Sequence, residues 1–341
     1  MALSAWYGGR GPGVLAAILC LFTVDYFFLA PLFSLDLNWT SVPRIGTYIV
    51  VALLVGTLST RRREAQRQVQ SNDAKMQFAR AIQQRLYPAS APVLPGLDIA
   101  GTTLPADSTC GDYFDYIPFL SGSLGVVLGD VAGHGFGAAL LMAETRAYLR
   151  ALALTTDDVG RILTLTNRFL SEDSDEQFVT LFFASVDPRT SSVVYASAGH
   201  EAYMIEPAGT VRKLLSTSIP LGIDKDLVVP CAPLIHLDAG QVVTLFTDGL
   251  IEASSPQGTL FGIDGILDVA RANRAKSAIE ITDAATGAVQ KFMRGQLQRD
   301  DLTVVTLKCV SQSVRTGSNN SSLRFHREPV IPAAMSSRAP G

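Results

Sequence analysis

The stretch LGVVLGDVAGHGFGAALLMAETRAYL, Leu124 to Leu149, runs from an apolar strand-like segment through a glycine-rich turn into a helix-like pattern. It commits the middle of the chain to strand, tight turn and helix, in that order. Gly133, Gly135 and Ala138 fit G-x-G-x-x-G/A, the spacing of a dinucleotide-binding turn. Yet Asp130 stands at the mouth of that turn, where its charge would repel a pyrophosphate. A dinucleotide fold also needs a second parallel strand, with an acid about twenty residues on. Asp157 is at that distance, but the residues before it, RAYLRALALTT, continue the helix pattern. The dinucleotide reading is set aside.

Elsewhere, strand-like and helix-like runs alternate irregularly. Strands are expected over Leu97–Thr103, Tyr113–Phe119, Leu124–Leu128, Phe178–Val186, Ser192–Ser197, Val242–Phe246 and Leu302–Leu307. Helices are expected over Gly137–Leu152, Val159–Leu170, Gly265–Ala275 and Ala278–Gln296. Short turns at Leu120–Ser123 and Pro188–Ser191 imply hairpins and antiparallel pairing, so the class is α+β rather than doubly wound. With 341 residues, 48% of them hydrophobic, the chain can bury one large core or two small ones. A net charge of -3 and one short basic run give no footprint for nucleic acid. Cys20, Cys110, Cys231 and Cys309 make no C-x-x-C pair, which points to reduced, structural thiols rather than zinc ligands or a disulfide framework.

The first sixty residues read as a membrane segment with two transmembrane helices. Gly13 to Leu35 carries one charge, Asp25, and is long enough to span a bilayer. Ile45 to Thr60 is uncharged but shorter, with Arg44 and Arg61 placed to snorkel at its ends. Arg61, Arg62, Arg63 and Arg67 come next, and the positive-inside rule puts them in the cytoplasm. A signal peptide is the other reading of the first run; the second apolar run and Pro31 directly after Ala30 argue against it. DYFFLAPLFSLDLNW, followed by an apolar helix and basic residues, resembles the membrane-sensor segment of KdpD-type sensor kinases. The expected location is the bacterial inner membrane, with the remainder of the chain in the cytoplasm.

Residues 61–87 have a helix composition, without Pro or Gly. Ala65, Val69, Asn72, Met76, Ala79, Gln83 and Leu86 fall on steps of three and four, a heptad seam with two polar members. Two readings stay open, a solvated linker helix and a coiled coil that joins two copies into a homodimer. Pro88, Pro92 and Pro95 end it. Residues 88–310 form the expected soluble domain, and 311–341, rich in Ser, Arg, Asn and Pro, the expected disordered tail.

Asp130 has company. Asp112 lies in CGDYFD before a strand, Asp248 in VVTLFTDGLIE after one, and Asp300 and Asp301 in RDDLTVVTL before the last. One aspartate so placed is an ordinary turn former. Several brought together would repel one another unless cations neutralise them. An all-oxygen, carboxylate-rich set suits Mg²⁺ or Mn²⁺ rather than zinc. On this reading Asp130 meets phosphate through a metal.

CGDYFDY, LGDVAGHGFGAALLMA, FVTLFFASVD, YASAGHEAYMI, VTLFTDGLIEA, FG and DDLTVV, in this order, resemble the SpoIIE-like phosphatases, the bacterial branch of the metal-dependent PPM or protein phosphatase 2C-like family. AIQQRLYP resembles the lead-in helix of that group. The resemblance implies a PPM-type αββα sandwich of two antiparallel sheets with a two-metal centre at one end. Matched motif by motif, Asp130 would bridge two divalent cations, Mn²⁺ or Mg²⁺. Asp112 and the main-chain carbonyl of Val131 would complete the ligands of one, and Asp248 and Asp300 would hold the other. Asp301 falls where the family pattern leaves the position free. These acids would serve catalysis by activating a water for in-line attack on phosphoserine or phosphothreonine. The implied partner is a phosphorylated anti-sigma-factor antagonist in bacterial signalling.

The sequence departs from the pattern at CGD, where GGD is commoner. His134 and His200, in GHG and AGH turns, match no general acid and default to structural roles. Asp115 lies near the site in sequence with no assigned task. The alternative function is a noncatalytic PPM-fold binding or scaffold module at the membrane; the complete acidic set argues for the enzyme.

Overall fold

The computed structural model describes residues 42–106, 109–133, 135–173 and 177–311, with isolated positions before residue 42. The expected first membrane run with Cys20 and Asp25, His134, and the expected tail beyond residue 311 lie outside the described residues. The chain divides into two compact units, Met1–Ala79 and Arg80–Gly341.

The first unit contains most of helix α1, Val42–Gln83. One helix thus covers both the second apolar run and the basic stretch, where the sequence suggests two segments meeting at residue 60. The reason is local: from Thr57 to Tyr87 there is neither Pro nor Gly to break it. Among the described residues no helix is long and apolar enough to cross a membrane. Val69, on the expected seam, is exposed. The seam's other end belongs to the second unit, where Gln83 is buried and Leu86 packs against a core cluster. There the chain's own fold covers the seam.

The second unit is a sandwich of two antiparallel sheets. Its strands are β1 (Leu97–Leu104), β2 (Tyr113–Pro118), β3 (Leu124–Val131), β4 (Val179–Asp187), β5 (Ser192–Ala198), β6 (Ala202–Ile205), β7 (Val211–Leu214), β8 (Ile235–His236), β9 (Val242–Phe246) and β10 (Leu302–Cys309). One sheet has the order β1-β10-β9-β6-β7 and the other β2-β3-β4-β5-β8. Helices α2 (Phe136–Leu152) and α3 (Val159–Asp173) cover the second sheet. A one-turn helix α4 (Asp248–Glu252), then α5 (Gly262–Asn273) and α6 (Ala278–Met293), belong to the first. This is the expected αββα arrangement.

Strand alternation builds the layers. Val126 and Leu128 of β3 enter the core between the sheets, together with Phe182, Met204, Leu245 and Val305. Val127 and Val131 point the other way, toward α2 and α3. Ala138, Leu141, Met142, Thr145 and Leu149 make the buried stripe of α2, at helical spacing. Ser277 and Glu280 close a capping box that starts α6. The expected strands and helices all form, with shifted ends. Strands β6, β7 and β8 and helix α4 go beyond them; with two to five residues each, they are too short for a period to show.

Candidate active site

Two sheets deliver acids to one end of the sandwich. On β3 the inter-sheet row Val126, Leu128 continues to Asp130 at the strand's end. On β2 the row Phe114, Tyr116 extends back to Asp112. Tyr113 pairs with Gly129, so one step further Asp112 comes level with Asp130. Gly111 lets the Val131 carbonyl stand beside this loop, since a Cβ there would lie 3.1 Å from that oxygen.

The other sheet brings Asp248, the first residue of α4, and the pair Asp300–Asp301 ahead of β10. A Cβ on Gly249 would collide with the Asp301 carbonyl, so only glycine permits this approach of α4 to β10. Thr247 ties the two sheets together by donating from Oγ1 to Asp112 Oδ2 at 2.7 Å. Asp112 and Asp301 are buried at the floor, Asp130 is half-buried, and Asp248 and Asp300 are exposed at the rim.

Asp301 has a task of its own. Its Oδ1 accepts from the Ala106 N–H at 2.8 Å and its Oδ2 from the Gly111 N–H at 2.9 Å. Both oxygens are spent on the backbone of the loop that carries Asp112. Asp300 Oδ1 accepts from the Asp301 N–H at 2.8 Å. Its exposed carboxylate is the one of this pair that faces outward for a ligand. Sequence reasoning had no signal for the Asp301 bonds, which join residues 190 and 195 positions apart.

The acids feel one another. Burial, then the charge of Asp130, holds Asp112 well above the usual carboxylate range. Asp130 is pushed up to about 7, first by burial and then by Asp248, Asp300 and Asp301. Partial burial, then Asp248 and Asp301, also raises Asp300. Among the described residues no three acidic, histidine or cysteine side chains are gathered tightly enough to hold a metal ion as they stand. The donor chemistry fits hard divalent cations: carboxylates from four strand ends, with a main-chain carbonyl beside them.

Other expected candidates fall elsewhere. Asp115 is two residues along from Tyr113, so the pleat turns it toward α2 and away from the acids. There its carboxylate is fully buried and accepts from Arg150 Nε and Nη2, both at 2.6 Å, from Tyr113 Oη at 2.7 Å and from the Tyr116 N–H at 2.8 Å. It is a packing ion pair. His200 is buried with Nδ1 3.3 Å from Thr180 Oγ1, and burial pushes it down to about 4, so it is neutral at physiological pH. Cys110 and Cys309 are buried free thiols, and Cys231 is an exposed one.

The sequence model described as "Stage II sporulation protein E (SpoIIE)" matches residues 121–310, and "Domain of unknown function (DUF4118)" matches residues 1–74. "Phosphoserine phosphatase RsbU" of Bacillus subtilis is 28% identical over 238 residues, covering 69% of this chain and 70% of RsbU. "Protein IcfG" of Synechocystis is 27% identical over 265 residues, and the alignment spans 69% of this chain but 42% of IcfG. Among solved structures, the SiaA-PP2C domain of Pseudomonas aeruginosa superposes with a TM-score of 0.63 at 22% identity, over 72% of this chain and 98% of that domain. That likeness concerns the fold. With the family match covering more than half of the chain, the conclusion is direct: this protein belongs to the SpoIIE family, and its sandwich has the fold of a PP2C domain.

Proposed function

We propose that the chain is a metal-dependent phosphoprotein phosphatase acting on phosphoserine or phosphothreonine of a regulatory protein, of the anti-sigma-factor antagonist kind. One observation carries the reading. Acids from both sheets meet at one end: Asp112 comes level with Asp130, which is pushed up to about 7 first by burial and then by Asp248, Asp300 and Asp301 of the other sheet. Two divalent cations bound there, Mn²⁺ or Mg²⁺, would supply an acidified water and positive charge for the phosphoryl oxygens. Asp130 is assigned the central position, with Asp112 and the Val131 carbonyl on one side and Asp248 and Asp300 on the other. Asp301 and Thr247 fix the loop and carboxylate of Asp112. The phosphoserine substrate class is supported by the name of RsbU, and the partner class by the motif resemblance.

The same proposal tethers the enzyme to the inner membrane with its catalytic unit in the cytoplasm. The uncharged run Ile45–Thr60 and the arginines after it support this, as does the match to residues 1–74. The exposed part of α1 around Ala65 and Val69 supplies a seam for a second copy.

The decisive measurement is phosphate release from a phosphoserine protein by the full-length chain, with Mn²⁺ titrated. Asp130→Asn keeps the shape and removes a charge from the central position. The expected loss is on the order of a thousandfold in rate. Full activity of that variant, or wild-type activity undiminished by exhaustive chelation, would overturn the reading.

A further inference from the structure

The segment between β1 and β2 that carries Asp112 has no strand or helix among its described residues, yet it ends in a buried carboxylate. A metal ligand must be held within about 0.5 Å of its working position. Side chains from elsewhere do the holding. Gln83, in the last turn of α1, donates from Nε2 to the Cys110 carbonyl at 2.6 Å and accepts at Oε1 from the Cys110 N–H at 3.0 Å. Its amide thus satisfies both main-chain groups of one residue, as a neighbouring strand would. Four residues on, Tyr87 donates from its hydroxyl to the Asp112 carbonyl at 2.7 Å. With Asp301 on the Gly111 N–H, side chains hold the backbone at three consecutive residues.

We propose that Gln83 and Tyr87 are positioning residues for Asp112, so that the affinity of the acidic site for divalent cations depends on two side chains that precede the sandwich. The inference rests on the metal-centre reading above. Gln83 is buried among neighbours that are not, since Ile82, Gln84 and Arg85 are all exposed. A buried amide is tolerated where its hydrogen bonds are made, and removing it leaves the Cys110 groups without partners. The bonds fix where the chain enters Asp112, while Thr247 fixes the carboxylate itself. Loosening the first pair leaves the ligand present but misplaced.

The test is Mn²⁺ binding to the full-length chain by titration calorimetry, with a melting curve of each metal-free variant alongside. Gln83→Ala is expected to weaken Mn²⁺ binding about tenfold, the scale of one or two buried hydrogen bonds. Gln83→Glu should weaken it too, because an ionised carboxylate accepts from the Cys110 N–H but offers its carbonyl no donor. Tyr87→Phe, which keeps the ring, should weaken it severalfold, and Gln84→Ala should leave it unchanged. In turnover, the same variants should need more Mn²⁺ for half-activation yet recover most of kcat at saturation. Wild-type Mn²⁺ affinity in both Gln83→Ala and Tyr87→Phe would overturn the proposal. Should Gln83→Ala not fold, Tyr87→Phe decides alone. A wild-type chain that binds no Mn²⁺ would instead sink the metal-centre reading, and this inference with it.

Discussion

Asp112 and Asp115 stand three residues apart in CGDYFD, and the pleat sends them to opposite faces of one sheet. Asp112 meets other acids and is held above its usual range, whereas Asp115 meets Arg150 and donors from two tyrosines. The difference is testable. Asp115→Ala strands Arg150 and Tyr113 and is expected to cost about 3 kcal/mol of stability, as for breaking a buried pair. Mn²⁺ affinity of the folded variant should equal that of wild type. A calorimetric loss of binding would put Asp115 in the acidic site after all. The clustered acids were legible in the sequence because each sits at the end of an apolar run beside a turn. The partners of Asp112 were not. Gln83 read as a polar member of a heptad seam, and Asp301 as a spare acid, because their bonds depend on which distant loops meet.

Among the elements, α4 comes so close to Asp301, just ahead of β10, that only Gly249 allows it. Gly249→Ala must push α4 away from Asp301, and α4 begins with Asp248. The expected outcome is a stability loss of about 2 kcal/mol, typical of overpacking, together with weaker Mn²⁺ binding. Denaturant unfolding and calorimetry on the same preparation check both halves; unchanged values would mean that the two elements can part without consequence. Hairpin turns and alternating runs made the antiparallel sheets readable from sequence. Helix α4 was not readable, nor were β6, β7 and β8, because each is shorter than the pattern that would announce it.

At the scale of the whole molecule, the two units separate at Ala79, one turn before Gln83. The proposed topology puts the N-terminus and the sandwich on the same side of the membrane. A reporter active only outside the membrane, fused after Gln70, should therefore be silent, and strong activity would refute the arrangement. The sandwich also has ends of another sort. One sheet stops at β7, four residues with Arg212 and Lys213 exposed, and the other at the two-residue β8. A strand from a neighbouring molecule would find little backbone to zip onto at these two borders, and charge on one of them, whereas the opposite borders are the longer β1 and β2. Short, charged borders of this kind resist edge-to-edge aggregation.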